Sequence, residues 1–498
     1  MKTIFLLAAG LLLFAMTGCK EENTVKQVRS APKSGCKGYH TDIRLDNRHD
    51  LACTECHQGS GSASEKNAAH AGLIVQPAAP ENMAAVCGKC HARQAENCAQ
   101  SAHFTLKNEV NLICSHFGLA PLAGLTKIPD RNGPPQNKEE LVDDLLRRRC
   151  LRCHVYTAGD NYPYVRRGTG CAACHLDKTE GKLDSHAFIL PGERQCLSCH
   201  YGNHVGSDFA GMHEHDYGRD FRSPQATPRP FLRPYGVEQH DLAQDIHRQR
   251  GLTCIDCHSG AELSGQQAAV KCVDCHAPKP GRTLPLKNLR LEDGQLILTA
   301  RQDGKEHVVP TLRHPAHATY ESKVDCQVCH AQWSFNDHGT HLLLSYSEDT
   351  ELWESLAVQS SFEAEQFLNG EEYSPFMTDT LTGRKKAGVW LKGYDLRRWE
   401  KMLIRRDRDG VIKVFRPILD LHLSAADADG EIIAGLDNIV GNGHGLLPYT
   451  PHTTGPAGLF YEQRFRHLLN KKTGPEDNES ARQQPVLPER INQLKETL

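Results

Sequence analysis

Residues 171–200 read CAACHLDKTEGKLDSHAFILPGERQCLSCH, a stretch that begins and ends with the same five-residue word, Cys-x-x-Cys-His. The word occurs eight times in the 498-residue chain and uses sixteen of its twenty cysteines. Composition alone would produce about 0.05 copies in a chain of this kind. The repetition therefore has a chemical cause, and that cause has to explain the trailing histidine as well as the cysteines.

Two cysteines three positions apart can both form thioethers with one haem, and the histidine directly after them turns its imidazole toward the iron. A zinc site does not need that adjacency, a thioredoxin-type pair would occur once, and disulfides leave the histidines unexplained. The sequence therefore predicts eight covalently bound haem c groups. Numbered along the chain, the motifs are motif 1 (Cys53, Cys56, His57), motif 2 (Cys87, Cys90, His91), motif 3 (Cys150, Cys153, His154), motif 4 (Cys171, Cys174, His175), motif 5 (Cys196, Cys199, His200), motif 6 (Cys254, Cys257, His258), motif 7 (Cys272, Cys275, His276) and motif 8 (Cys326, Cys329, His330).

The composition is poor in material for a hydrophobic core, because only 6% of the residues are aromatic. Bound haems would supply the apolar interior that the side chains lack. We therefore expect a mainly α and irregular multihaem cytochrome c fold built around stacked haems, with small antiparallel β insertions. The formal net charge of −3 gives no indication of a nucleic-acid partner.

The N-terminus, MKTIFLLAAGLLLFAMTGCK, has one early lysine, an apolar run and small residues before Cys19. This pattern predicts an export signal at 1–18, and its end resembles a bacterial lipobox with a lipid anchor on Cys19. The alternative is ordinary cleavage nearby with Cys19 incidental. The expected location is that of an exported bacterial lipoprotein, on the periplasmic face of a membrane or at the outer membrane.

The rest of the chain divides by composition and motif content. We expect a flexible tether at 19–35, an octahaem domain at 36–345 with a β insertion at about 284–310, a haem-free region at 346–472 and a disordered tail at 473–498. Lys138–Arg149 is the clearest predicted helix, since Leu141, Leu145 and Leu146 share one face. The haem-free region is interpreted as a cover over the haems or, alternatively, as a docking surface.

The histidines outside the motifs are candidates for the second axial ligand of each iron, because low-spin electron-transfer haems need one. The best placed are His70, His103, His186, His247, His317 and His338. The alternatives are His49, His116, His204, His213, His215, His240, His314 and His341, and His444 and His452 in the C-terminal region could also reach an iron.

The segment CGKCHARQAENCAQSAHFTLKNEVNLICSHFG, followed by RRRCLRCH, CAACH, CLSCHYGN and RGLTCIDCH, resembles the octahaem tetrathionate reductase family over roughly 85–280. That family is related to octahaem nitrite reductases and hydroxylamine oxidoreductases. The resemblance implies that the Lys107 amine is the distal ligand of the motif 3 haem, which would be the catalytic one. The alternative is an exposed Lys107 that pairs with a propionate or with solvent.

Several polar residues near motif 3 suit a site that reduces an anion. Arg149 belongs to an arginine-rich stretch that would attract an oxyanion or, alternatively, pair with haem propionates. His116 is a candidate proton donor. The chain departs from the family in having motif 1, a lipoprotein signal, a haem-free C-terminal region and an extra cysteine, Cys98, which would form a disulfide with Cys114 beside this site.

Three functions remain open from the sequence. The first is an electron conduit between periplasmic or membrane redox proteins, the second an enzyme that reduces a small oxyanion such as tetrathionate or nitrite, and the third a polymerising cytochrome wire. Electron transfer is common to all three. The sequence fixes neither the substrate nor the oligomeric state.

Overall fold

A computed structural model describes residues 35–215, 233–278, 283–351, 353, 358–436 and 445–469. The predicted signal at 1–18, Cys19 with nearly all of the tether, His444 and the tail at 473–498 lie outside the described residues. Within the described ranges, no helix is both long and apolar enough to cross a membrane.

The helices are short, and most of them lie at or beside a Cys-x-x-Cys-His motif. In the described ranges they are α1 Gly35–Tyr39, α2 Cys53–His57, α3 Lys66–Ala69, α4 Gly88–Gln100, α5 Ala102–Thr105, α6 Lys107–His116, α7 Lys138–Arg148, α8 Ala172–His175, α9 Glu193–Leu197, α10 Ile246–Gln249, α11 Cys254–Cys257, α12 Gly260–Leu263, α13 Cys272–His276, α14 Pro315–Tyr320, α15 Cys326–His330, α16 Phe362–Leu368 and α17 Arg466–Leu469. A kink at His91 separates the motif 2 turn from the rest of α4.

The strands form several small sheets. In order they are β1 Lys178–Thr179, β2 Lys182–Leu183, β3 Met212–His215, β4 Glu238–Asp241, β5 Leu289–Glu292, β6 Gln295–Thr299, β7 Glu306–Val308, β8 Asn336–Ser345, β9 Phe376–Thr378, β10 Lys385–Ala387, β11 Val389–Arg398, β12 Leu403–Arg406, β13 Ile412–Pro417, β14 Leu421–Ala426, β15 Ile432–Leu436 and β16 Leu446–Pro448. The largest sheet has the order β11-β8-β14-β15, with β8 parallel to β14 and antiparallel to β11.

The expected mainly α fold is wrong. The structure is 28% helix and 19% strand in six small sheets, which makes it a mixed α/β protein. The sequence-based expectation took the β pattern as small insertions, and β5–β7 do form a three-stranded antiparallel sheet at 289–308. The region after motif 8 contributes much more strand than an insertion, because β8 to β16 all lie there.

The largest hydrophobic core joins α6 and α7 to the sheet of β8, β11 and β14. Asn137 caps α7 by accepting a hydrogen bond from the Glu140 amide at 2.9 Å, and the helix ends at Arg148. Its apolar side chains face those of the sheet, and the fully buried members of this core include Leu141, Leu145, Leu146, Leu344, Trp390 and Ala425. This part of the protein is therefore held by its own side chains.

Buried polar contacts join the same two parts. The Arg147 guanidinium donates to both carboxylate oxygens of Asp379, at 2.6 and 3.0 Å, and both side chains are buried. The Trp390 indole donates to Asp144 at 2.7 Å. The C-terminal region is thus fixed to the helix that leads into motif 3.

The segment that carries motifs 1 and 2 has no comparable core. Between residues 35 and 100 the buried apolar side chains are small or few, namely Ala78, Ala79, Met83, Val86 and Ala95. The short motif helix α2 buries no side chain at all. Side-chain packing alone does not account for the order of this segment.

Candidate haem-binding sites

Two imidazoles that bind one iron from opposite sides have a characteristic separation. An imidazole nitrogen binds a transition metal at about 2.0 Å, with the ring centroid about 1.1 Å behind that nitrogen. The two ring centroids are therefore about 6.2 Å apart in a bis-histidine haem.

Six of the eight motif histidines face a second histidine at this separation. The pairs of ring centroids are His57 with His186 at 6.2 Å, His91 with His49 at 6.3 Å, His200 with His103 at 6.5 Å, His258 with His452 at 6.2 Å, His276 with His247 at 6.0 Å and His330 with His317 at 6.1 Å. Each pair has the ring spacing that an intervening iron requires.

Most of these rings are also held in the tautomer that a metal ligand needs. A ligating histidine normally donates its other N–H to a carbonyl or carboxylate, which fixes the ring and leaves the second nitrogen for the metal. In His57, His200, His276, His330 and His452 the Nδ1 donates to a backbone carbonyl at 2.7–3.0 Å. In His49, His247 and His258 it faces a carboxylate of Asp46, Asp245 or Glu262 at 2.8–2.9 Å.

Several thiols and imidazoles of the motifs are exposed to solvent although the surrounding protein shifts their pKa values. The side chains of Cys174 and Cys257 are exposed to solvent, yet burial within the surrounding protein raises the pKa of Cys174 to about 11 and that of Cys257 to about 12. His200 is exposed as well, and burial lowers its pKa. These side chains are therefore within reach of a bound group.

Contacts between thiols show which motifs are neighbours. Three pairs of first cysteines are neighbours, because the two thiols of each pair shift each other's pKa: Cys87 and Cys171 of motifs 2 and 4, Cys196 and Cys254 of motifs 5 and 6, and Cys272 and Cys326 of motifs 7 and 8.

Electrostatic interactions between further thiols show which of these pairs lie next to one another. After burial, the neighbouring thiol of Cys87 raises the pKa of Cys56, that of Cys199 raises the pKa of Cys174, and that of Cys275 raises the pKa of Cys257. The motifs therefore follow one another in the order 1, 2, 4, 5, 6, 7, 8. Motif 3 lies beside this line, since Cys153 neighbours Cys199 of motif 5.

One segment connects three of the sites. Residues 185–189 carry His186 toward motif 1, while the Phe188 amide donates to Asp46, the carboxylate that also holds His49 of the motif 2 pair. At the end of the segment, Ile189 exchanges hydrogen bonds with His175 of motif 4 through its amide and its carbonyl. A few residues thus set the relative positions of motifs 1, 2 and 4.

Four of the six best-placed distal candidates, His103, His186, His247 and His317, face a motif histidine. The other two lie elsewhere: His70 faces His40 at 6.1 Å, and His338 lies 3.9 Å from Asp420. The rings that face the histidines of motifs 2 and 6 belong to His49 and His452, which the sequence offered only as alternatives. No spacing rule could have assigned His452, because it follows His258 by 194 residues and reaches it only through the C-terminal fold.

The remaining alternatives have other environments. His213 and His240 are a buried cross-strand pair of β3 and β4, and His341 stacks on His422 at 4.6 Å across β8 and β14. The His314 ring caps α14 by accepting from the Ala316 amide. His204 is exposed to solvent, and desolvation by the surrounding protein lowers its pKa to about 4. The side chain of His215 lies outside the described residues.

Motif 3 differs from the six paired motifs. Its first cysteine begins a single turn of 3-10 helix at Cys150–Arg152, Cys153 follows that turn, and His154 is buried. The Nδ1 of His154 accepts a hydrogen bond from the Tyr156 amide at 3.1 Å, so the proton is on Nε2, which faces Thr380 Oγ1 at 3.2 Å. In the described part of the chain, no histidine ring faces His154 or His175 at the spacing of the six pairs.

The first turn of α6 and Arg149 converge on motif 3. Burial raises the pKa of Cys150 to about 12; the Glu109 carboxylate raises it further, and the nearby Arg149 charge opposes that rise. Lys107, the first residue of α6, is exposed. His116 ends the same helix, about 14 Å away along its axis, and packs on Phe117 with its pKa lowered by burial.

The arginines near motif 3 are largely committed to the protein itself. Arg149 donates to the Gln359 carbonyl, Arg152 pairs with Asp160, and Arg167 donates to the carbonyls of Ser198 and His154. The expected disulfide is also absent, since Cys98 and Cys114 are both free thiols. They belong to different apolar clusters, which explains why they do not meet.

Comparison of the chain with protein-family models, curated proteins and solved structures gave no match.

Proposed function

We propose that this protein is an octahaem c-type cytochrome that transfers electrons in the cell envelope. The observation that carries the proposal is the set of six motif histidines that each face a second histidine at 6.0–6.5 Å. Haem c, when bound, supplies an iron that alternates between two oxidation states. The chain contributes thiols for covalent attachment, imidazoles for both axial positions and short distances between neighbouring motifs.

The order of the motifs supports conduction along the molecule. Motifs 1, 2, 4, 5, 6, 7 and 8 form one continuous line of neighbours. An electron that enters at either end would therefore pass from site to site without leaving the protein. Redox partners in the periplasm or membrane would exchange electrons at the two ends of this line.

The test is production in a host that attaches haem c. We expect a denatured protein that retains at least eight haems by intact mass and an oxidised sample that gives bis-histidine low-spin signals in electron paramagnetic resonance. A fully processed chain with no covalent haem would exclude this function.

We further propose that motif 3 is the reactive site, where a small sulfur or nitrogen oxyanion such as tetrathionate or nitrite is reduced. Motif 3 lies beside the line of motifs, and within the described residues its histidine, like that of motif 4, faces no second histidine. Haem binding at His154 would require its Nε2 to give up the proton that faces Thr380. Lys107 begins the helix whose first turn approaches Cys150. A lysine amine would be a weaker ligand than imidazole and would yield its place to substrate. The charge of Arg149 would attract the anion while its guanidinium keeps the hydrogen bond to the Gln359 carbonyl.

Lys107→Ala tests this second proposal, with Lys127→Ala as the control, because Lys127 is another exposed lysine nearby in the chain. We expect Lys107→Ala to change one haem signal in the paramagnetic spectrum and to lower reductase activity at least tenfold. Lys127→Ala should change neither. An unchanged spectrum and unchanged activity in Lys107→Ala would leave the pure conduit as the function.

The proposed location is that of a lipoprotein anchored through Cys19, with the haem line held at a membrane surface. Replacement of Cys19 by serine should move the haem-containing protein from the membrane pellet to the soluble fraction. Retention in the pellet in the absence of acylation would contradict the anchor.

A further inference from the structure

The first described helix, α1, repeats the geometry of a haem-binding motif although its sequence carries a single cysteine. Residues 36–40 read CKGYH, which is the Cys-x-x-Cys-His word with Tyr39 at the position of the second cysteine. The His40 amide donates to the Cys36 carbonyl at 2.8 Å. The same hydrogen bond from the histidine to the first cysteine occurs in motifs 2, 4, 5 and 6, at 2.8–3.1 Å.

His40 also faces a second histidine as the six motif histidines do. The ring centroids of His40 and His70 are 6.1 Å apart, within the range of the six axial pairs. The Nδ1 of His70 donates to the Lys66 carbonyl at 2.7 Å, which leaves its Nε2 for a metal. Both rings are exposed, as His200 and His103 of the motif 5 pair are.

The backbone around His70 is shaped to hold that ring in place. His70 ends α3, where its amide donates to the Lys66 carbonyl at 3.0 Å. Gly59, at a φ of 74°, approaches the Ala69 carbonyl so closely that a side chain there would collide with it. The Ser60 amide donates to that same carbonyl.

From these observations we propose a ninth haem-binding site, in which one thioether from Cys36 attaches the haem and His40 and His70 are its axial ligands. The Cys36 thiol would add across one vinyl group, so that a sulfur–carbon bond forms and the thiol hydrogen passes to the other vinyl carbon. The second vinyl group would stay intact, because Tyr39 offers no thiol. This inference rests on the proposed function, since it requires the same attachment chemistry.

The site would extend the line of motifs at its N-terminal end. Ile74, four residues after His70, exchanges hydrogen bonds with His57 of motif 1 through its amide and its carbonyl, at 2.7 and 2.9 Å. The ninth haem would therefore neighbour motif 1. It would also be the haem closest in sequence to the predicted tether and anchor, which makes it the first acceptor for an electron that arrives from the membrane.

Haem counting on the matured holoprotein tests the site. We expect the denatured wild-type chain to carry nine haems by intact mass, and a tryptic digest to contain the peptide SGCK, residues 34–37, with one haem attached. Cys36→Ala should carry eight, whereas Cys98→Ala, which removes another cysteine outside the motifs, should keep nine. The pyridine haemochrome of the wild type should show a component at longer wavelength, typical of one remaining vinyl group, that Cys36→Ala lacks.

His70→Ala tests the axial ligand independently of attachment. It should keep nine haems by mass and lose one bis-histidine signal in the paramagnetic spectrum. Eight haems in the wild type together with an unmodified SGCK peptide would overturn the ninth site and leave the proposed function intact. An unchanged spectrum in His70→Ala would overturn the ligand assignment, and a chain with no covalent haem would overturn the proposed function itself.

Discussion

The segment of motifs 1 and 2 and the sheet of β8, β11 and β14 are stabilised in different ways. The sheet packs on α7 through large buried side chains such as Trp390, Leu344 and Leu145. The segment at 35–100 buries only a handful of small or medium apolar side chains. One part of this molecule is therefore a conventional hydrophobic core, and the other would depend on the proposed haems for an interior.

The sharpest way to break this comparison is to make the chain without haem attachment. We expect the backbone amide hydrogens of α2 and α4 to exchange completely at the earliest time point, because few side chains of that segment are buried and no haem would cover it. The amides of α7 and β11 should stay protected, since their core consists of side chains and only Leu151 and Cys150 of motif 3 take part in it. Hydrogen–deuterium exchange followed by mass spectrometry measures the protection of both parts. The haem-containing protein is the reference. Strong protection of α2 in the haem-free chain would contradict the comparison.

The next largest effect should come from the buried ion pair between the two parts of the conventional core. Arg147→Met should lower the free energy of unfolding by about 3–5 kcal/mol, because it leaves the Asp379 carboxylate buried without its main partner. The double variant Arg147→Met with Asp379→Leu should recover most of that loss. Urea unfolding followed by circular dichroism would measure both. Arg384→Met, which removes an exposed pair with Asp130, should cost less than about 1 kcal/mol.

The pH dependence of that pair follows from the pKa of Asp379. Burial works to raise this pKa, but hydrogen bonds from Arg147 and the Thr382 amide, together with the Arg147 charge, outweigh it and hold the pKa well below its usual value. A carboxyl with a depressed folded-state pKa contributes stability above its unfolded pKa of about 3.9 and loses it as the pH falls further. The stability difference between wild type and Asp379→Asn should therefore stay constant from pH 7 to 5 and shrink below about pH 4.

A smaller change should follow from replacing His452, the proposed ligand from the C-terminal region that faces His258 of motif 6. His452→Met is expected to keep all haems attached and to raise one reduction potential by on the order of 100 mV, because methionine favours the reduced iron. Spectroelectrochemical titration would resolve this shift, and the control is His467→Met, an exposed histidine in α17. Identical titrations of the two variants would remove His452 from motif 6.

The smallest expected change in unfolding free energy comes from the N-terminal cap of α7, a helix of the conventional core. Asn137→Ala removes the cap of α7 and should cost about 1 kcal/mol of unfolding free energy, while Asn137→Asp should cost much less because aspartate also accepts from the helix amides. Neither should alter the haem content or any potential. A change in the haem signals of Asn137→Ala would show that the two parts are not as separate as their packing indicates.

The sequence and the structure agree best where the signal is local. The motif turns, the helix at Lys138–Arg148 and the Asp-Gly turns that precede β6, β13 and β15 all follow from short-range patterns. The mainly α expectation was wrong because the strands after motif 8 pair across long sequence distances. Of these, β8 and β14 are parallel, and no turn between them marks that pairing.

The candidate sites show the same limit. His317 lies close in sequence to motif 8, whose histidine it faces, so proximity was an adequate guide there. His247 lies nearest to motif 6 in sequence but faces His276 of motif 7. His49 and His452 could not be ranked in this way, since a ring reaches its partner through the fold and not through spacing. The CKGYH turn does not match the Cys-x-x-Cys-His motif because Tyr39 replaces the second cysteine. Its histidine and its first cysteine are at the usual positions.

The late position of His452 has a consequence for how the protein is assembled. A chain made from its N-terminus presents His258 long before residue 452 exists, so under the proposed function haem would be attached at motif 6 before His452 could bind its iron. Until the C-terminal segment arrives, that iron would accept small molecules such as carbon monoxide or peroxide. Truncation before residue 445 would then trap a nascent form whose reactivity toward such molecules the finished protein no longer has.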